Sequence, residues 1–206
     1  MTRLLAIFAA LAVVLALFGV WFVTQANESD DQFAQCRIGQ VAGGAGQIGG
    51  PFTLLDKTGT EVTDQDVITQ PSLLYFGYSF CPDVCPFDLS RNAIATDILQ
   101  ERDREITPVF ISIDSNRDTP EVVGEFADNL HERMIGLTGT PAQVKAASQA
   151  YRTYYKAQPA DDEFYLVDHS TFSYLVLPEH GFVEFFRREI QPEQMADTIQ
   201  CFVDNA

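Results

Sequence analysis

Ser72-Leu73-Leu74-Tyr75-Phe76-Gly77-Tyr78 runs straight into Ser79-Phe80-Cys81-Pro82-Asp83-Val84-Cys85-Pro86. The first half is apolar and rich in aromatics, which reads as a short strand buried on both faces. Beyond the cysteines, Phe87–Asp103 carries Ile94 and Ile98 at helical spacing, with Phe87 and Ala95 nearby. Cys81 and Cys85 therefore stand where a buried strand gives way to a helix. A helix N-terminus favours thiolate over thiol, which raises nucleophilicity and metal affinity together. Within a helix, positions four apart share one face a turn apart, close enough for one bond or one ion to bridge the sulfurs. C-x-x-C is the usual dithiol oxidoreductase spacing, and the longer spacer here opens the pair wider. Redox chemistry, metal binding and a small structural disulfide all remain open from these residues.

Working outward, Thr107–Ile113 reads as a second buried strand. Thr119-Pro120 and Thr140-Pro141 are helix starts, a threonine N-cap followed by proline at the first helical position. The helix from Pro141 is expected to run towards Tyr155. Phe164–Val167, Phe172–Leu177 and Phe182–Arg187 read as three further strands, the last two joined as a hairpin by the turn Pro178–Gly181. A final helix is expected from Pro192 to Val203. Upstream, Phe52–Leu55 is strand-like. The order predicts an α/β domain with a central mixed β-sheet and helices on both faces.

Before this domain, Leu4–Val23 is a stretch of 20 residues without charge. That length suits one transmembrane helix across about 30 Å of hydrocarbon. A cleaved signal is the competing reading, with Thr24-Gln25-Ala26 as the cleavage site, but signal cores are shorter. Trp21 fits an interfacial aromatic, Arg3 precedes the span, and Glu28, Asp30 and Asp31 follow it. The expectation is a bacterial inner-membrane protein, single-pass, with its C-terminal domain in the periplasm. Residues 1–24 would be the anchor, 25–50 a linker rich in glycine, and 51–206 the domain. Gly44–Gly49 matches G-x-G-x-x-G, but Pro51 and a strand follow rather than a helix, so a flexible linker is the better reading than a nucleotide site. Lys plus Arg is 13 against 29 Asp plus Glu, a formal charge of -16. That balance repels phosphate backbones and excludes nucleic acid as a partner.

Two thiolates need a third ligand to complete a metal site. His131 reads as a solvated residue at a helix end and His180 as a turn residue. His169 follows the Phe164–Val167 segment at a loop within reach of the cysteines, although a lone histidine is more often structural than a ligand. Asp168 is a candidate to orient its imidazole. A Cys2His set with soft sulfur suits Cu(I), the imidazole tolerates Cu(II), and zinc would want a fourth ligand. Cys36 and Cys201 lie outside the motif at opposite ends of the exported segment. In an oxidising compartment they are expected to pair, with two free thiols or a bridge between chains as the alternatives.

The run Tyr75–Pro86 resembles the signature of the Sco/SenC family of copper-binding, thioredoxin-like assembly factors. Ile113–Pro120, Gly136–Thr140, the Tyr151/Tyr154/Tyr155 cluster and Tyr165–Ser170 are similar to further family segments, so the resemblance spans roughly Gly49 to Val203. Ser115 and Leu177 depart from it, at positions where the family usually has Pro and Asp. The resemblance implies a thioredoxin-like fold and one copper ion held by Cys81, Cys85 and His169. It also implies a chaperone for the CuA centre of cytochrome c oxidase subunit II, working with other copper chaperones or thiol reductants. Copper delivery and reduction of the acceptor's cysteines would compete for the same sulfurs. A metal-independent thiol-disulfide oxidoreductase is the alternative, and a copper-dependent redox sensor or assembly scaffold a third.

Overall fold

The computed structural model describes residues 2–28, 31–39, 48–159 and 164–206. The chain divides into two compact units, Met1–Gln35 and Cys36–Ala206. The first contains helix α1 (Thr2–Glu28), whose large apolar side chains from Ile7 to Phe22 are exposed. Among the described residues no helix is long and apolar enough to cross a membrane. The glycine-rich tract expected as a linker, with its G-x-G-x-x-G match, falls largely on residues 40–47, outside the described residues.

The second unit opens with a hairpin of β1 (Thr53–Leu55) and β2 (Glu61–Thr63), then a short α2 (Asp64–Val67). Next come β3 (Ser72–Gly77), α3 (Val84–Glu101), β4 (Thr107–Ser112), α4 (Pro120–Leu130) and β5 (Ile135–Leu137). Helix α5 (Pro141–Ala150) leads to a small hairpin of β6 (Tyr155–Ala157) and β7 (Val167–His169). The hairpin of β8 (Ser173–Leu177) and β9 (Gly181–Phe186) follows, and α6 (Pro192–Asp204) closes the chain. The central sheet has the order β5-β4-β3-β8-β9, with β3, β4 and β5 parallel and β8 and β9 antiparallel.

Every residue of β3 is buried, as its unbroken apolar run demands of a central strand. Alternation then splits it between two faces. Tyr75 points at α3, where its hydroxyl donates to Asp88 at 3.0 Å. Phe76 points the other way, onto Tyr151 at 5.5 Å and Tyr174 at 5.9 Å. Both threonine-proline helix starts are real: Thr119 caps α4, and Thr140 forms a reciprocal capping box with Gln143 on α5.

The region between α5 and β8 departs from expectation. Helix α5 stops at Ala150, and Arg152 takes the left-handed conformation (φ 51°) that ends it. Residues 151–154 form a turn and irregular chain rather than a helical approach, β6 begins at Tyr155, and the strand expected at Phe164–Val167 is displaced to Val167–His169. The short strand β5 was not foreseen. His131 is not solvated: its side chain is 8% exposed, with Nε2 3.2 Å from Asp97 and Nδ1 accepting from the Arg133 N–H. His180 lies exposed in the β8–β9 turn.

Cys36 and Cys201 form a disulfide with a Cα–Cα distance of 5.5 Å. The bridge joins the segment at 36–39 to α6. Beside it, the Ile38 N–H donates to the buried carboxylate of Glu184 on β9 at 3.1 Å, and the Arg37 guanidinium donates to the Val183 carbonyl.

Candidate metal centre

Cys81 sits in the turn that leaves β3, its N–H donating to the Tyr78 carbonyl at 3.2 Å. Cys85 lies in the first turn of α3, where the first four N–H groups of any helix lack an intrahelical partner. One of those N–H groups, that of Cys85, donates to the Cys81 sulfur at 3.3 Å. The sulfur thus does the work of an N-cap oxygen, and Pro86 is tolerated because its missing N–H would have been an orphan.

The third group arrives from β7. Register pairs His169 with Tyr155 across the β6–β7 hairpin. The Tyr78 hydroxyl accepts from the Val167 N–H at 3.3 Å and ties that hairpin to the end of β3. The rings of Tyr75 and Tyr78 meet the imidazole edge-on at 6.2 and 5.8 Å. Nδ1 lies 2.8 Å from the Ser170 carbonyl, which can only accept, so Nδ1 carries the proton and Nε2 keeps its lone pair. Nε2 is 3.4 Å from the Cys85 sulfur, and the ligand atoms of Cys81, Cys85 and His169 all lie within 4.8 Å of one another. Three ligands spaced around one ion at bonds of about 2.3 Å stand roughly 4 Å apart, so the cluster is close to the size a three-coordinate ion needs.

The two thiols are not equivalent. A hydrogen bond from the Cys85 thiol pulls the Cys81 thiol down to about 4, against burial and with help from the Cys85 and Asp83 N–H groups. Cys85 is pushed up by donating to Cys81 and by its own burial. The pair therefore holds one proton in an S–H···S⁻ bond, which a metal ion taking both thiolates must displace.

Around this centre lie residues whose importance the sequence did not signal. Behind it, Asp88 is buried with Arg91 3.8 Å away, and Arg91 also donates to Ser173 at 3.0 Å and to the Arg187 carbonyl at 2.9 Å. Burial raises the Asp88 carboxyl, with Arg91 opposing it. Asp118, 1% exposed, accepts from the Ser79 N–H at 3.0 Å and from the hydroxyls of Ser79 and Ser112, fixing the turn that carries Cys81. Its only trace in the sequence is its place in the segment Ile113–Pro120. Asp168 does not orient the imidazole in this arrangement. As the neighbour of His169 on a strand it faces the other way, and it accepts from Gln158 at 2.7 Å. The Ser170 carbonyl holds that place.

The SCO1/SenC family model matches residues 40–204. The chain is 53% identical over 203 residues to Protein SenC of Rhodobacter capsulatus, covering 98% of this chain and 90% of that protein. It spans about half the length of the mitochondrial relatives it matches. The structure of Arabidopsis thaliana ScoI with copper bound superposes with a TM-score of 0.72 at 38% identity, covering 76% of this chain and 99% of that one. BsSco, a member of the Sco family of cytochrome c oxidase assembly proteins, shares the fold at TM-score 0.60 and 19% identity, over 74% of this chain and 91% of its own. Sequence, fold and the clustered pair of cysteines with its histidine agree, and the chain belongs to the SCO1/SenC family.

Proposed function

We propose that this protein is a membrane-anchored copper chaperone. It holds one copper ion through Cys81, Cys85 and His169 and supports assembly of the CuA centre of cytochrome c oxidase subunit II. The observation that carries this reading is the convergence of two sulfurs and an imidazole nitrogen within 4.8 Å. Copper is the cargo, because two soft thiolates with one imidazole suit Cu(I) and still accommodate Cu(II). Copper-bound relatives support the same choice.

Chelator competition on the purified protein tests it. Cys81→Ala and Cys85→Ala are expected to abolish tight Cu(I) binding, and His169→Ala to weaken it by an order of magnitude or more. Unchanged affinity in His169→Ala would remove the histidine from the site.

Reduction of the acceptor's cysteines is a second reading, favoured by the unequal thiols. The Cys81 thiolate attacks an acceptor disulfide to form a mixed disulfide, and Cys85 displaces the acceptor. Cys81 and Cys85 end oxidised as a disulfide, and the acceptor gains two electrons, becoming a dithiol with the one proton of the pair and a second from solvent. Such turnover should be indifferent to His169.

The anchor belongs to the same proposal. It rests on the sequence, where the uncharged run Leu4–Val23 has the 20 residues that about 30 Å of hydrocarbon requires. Residues 1–24 then anchor the chain in a bacterial inner membrane, 25–50 link, and 51–206 work in the periplasm. The full chain should sediment with membranes after alkaline washing, and a chain lacking residues 1–24 should not.

A further inference from the structure

The cysteines and His169 reach the metal centre on separate segments, so their spacing depends on what joins those segments. Cys81 lies in the turn after β3, and His169 ends β7. The Tyr78 hydroxyl, accepting from the Val167 N–H, is one link between them. A second runs through Arg117, in the loop between β4 and α4. Its guanidinium stands 5.6 Å from the centre of the Tyr78 ring and 5.0 Å from that of Phe80, the residues that lead into Cys81. It also stands 3.7 Å from the centre of the Tyr165 ring, on the approach to β7. Asp114, from the same loop, completes the link. One of its carboxylate oxygens accepts from Arg117 Nε at 2.5 Å and the other from the Tyr165 hydroxyl at 2.6 Å.

A guanidinium is flat, permanently charged and weakly hydrated, so it can lie against several aromatic faces while keeping an ion pair. Here both members of the pair are withdrawn from water, the Asp114 side chain being 3% exposed and that of Arg117 13%. Such a pair resists displacement, because either partner moved alone leaves a buried charge uncompensated. The grip reaches His169 through the chain. The Gln158 N–H donates to the Leu166 carbonyl at 2.8 Å, which extends the β6–β7 ladder towards Tyr165. Tyr165, Val167 and His169 then alternate along one extended segment and point to one side of it. Val167 is buried and Tyr165 packs against the core, so the side that Arg117 grips is the side that presents His169 to the sulfurs. The cysteine turn has a hold of its own in the same loop, since Asp118 accepts from the Ser79 N–H at 3.0 Å.

We propose that Arg117 is a positioning residue for the metal centre: it fastens the Tyr165–His169 segment to the cysteine turn and so sets the distance from the imidazole nitrogen to the sulfurs. The proposal rests on the copper-binding reading above and names the residue through which the histidine ligand is held.

The test uses the full chain in detergent. Arg117→Lys keeps a positive charge for Asp114 but has no flat group to lie on the rings. Tyr165→Leu keeps an apolar side chain but loses the ring and the hydroxyl. Each is made in the wild type and again in His169→Ala. Cu(I) affinity by chelator competition is expected to fall about 10-fold in either variant of the wild type. With His169 already replaced, the same substitutions should change it by less than about twofold, because two changes acting through one contact do not add. In the metal-free chain, hydrogen exchange at the Val167 amide should quicken by about 10-fold while the amides of α3 keep their protection. Wild-type affinity in both variants would overturn the proposal and leave the copper reading intact. A loss as large in His169→Ala as in the wild type would also overturn it, by making Arg117 act on the cysteines. Protection lost throughout the domain in both variants would do the same, by reducing Arg117 to a general support of the fold. A wild-type chain without tight copper binding would instead sink the copper reading, and the proposal with it.

Discussion

At the scale of single residues, Gly77 shows how little room the centre has. A Cβ there would stand 2.9 Å from the Cys85 sulfur and 2.9 Å from the Tyr75 ring, with Phe110 at 3.2 Å. None of these is the loose end of a flexible side chain, so Gly77→Ala must push the sulfur or the rings aside. The expected cost is about 1–3 kcal/mol, the usual penalty for overpacking a core. Copper affinity should fall with it, because the atom displaced is a proposed ligand. Thermal unfolding and chelator competition on the same variant check both halves. Loss of stability with unchanged copper affinity would show that the backbone, rather than Cys85, gives way. Tyr75 acts in a different manner, through its hydroxyl. Its hydrogen bond to the buried Asp88 lies beside Cys85. Tyr75→Phe is therefore expected to change the sulfur-to-copper charge-transfer absorption of the Cu(II) form while Cu(I) is still bound. An identical spectrum would place Tyr75 in packing alone.

At the scale of elements, what was legible in the sequence follows from where the signal lay. Strand β3 and the start of α3 were readable because an unbroken apolar run passes into helical spacing, and burial on both faces leaves no other reading for such a run. The β8–β9 hairpin announced itself through its turn. The β6–β7 hairpin did not. Its strands are three residues each, and two positions of β6 are exposed, so no alternation marks them. His169 was thus singled out as a residue while the element presenting it was expected at Phe164–Val167 and lies at Val167–His169. Asp118 and Ser170 escaped notice for a related reason: one acts through a buried carboxylate and the other through a carbonyl, and neither leaves a compositional trace. The hairpin's attachment can be tested. Tyr78→Phe removes the acceptor of the Val167 N–H, a bond at 3.3 Å in a buried setting. Leaving that donor unpaired costs about 1–3 kcal/mol. If part of this cost frees β7, copper affinity should fall by roughly 10-fold, since each 1.4 kcal/mol is a factor of ten. Denaturant unfolding on the same variant reads the cost, and a destabilised variant with unchanged copper affinity would show that β7 stays in place without this bond.

At the scale of the whole molecule, the question is what fastens residues 36–39 to the domain, since the metal centre uses only two of the four cysteines. The Cys36–Cys201 bond closes a loop with a sequence separation of 165. For a loop of that length the chain-entropy model gives about 5 kcal/mol, an upper figure. Cys36→Ser with Cys201→Ser should lower stability by up to that amount and leave copper affinity unchanged. Alkylation of the wild type without reductant should find two reactive thiols before copper is added; four would dissolve the bridge. Glu184 adds a second fastening whose strength depends on pH. Burial raises its carboxyl above the ordinary value of 4.5, against the opposing pull of the Phe185, Ile38 and Gly39 N–H groups and Arg37. With the folded value above the unfolded one, the native state binds the proton more tightly. The stability this contributes is fully present below 4.5 and is lost as pH rises through the folded value. Glu184→Gln cannot titrate, and it turns an amide donor toward N–H groups that need acceptors. The stability gap between wild type and Glu184→Gln should therefore be widest near pH 4 and narrow toward neutrality. Denaturant unfolding at several pH values reads the gap directly. A gap that widens as pH rises would reverse the sign, making Glu184 a stabilising anion that gains from its N–H donors more than burial takes away.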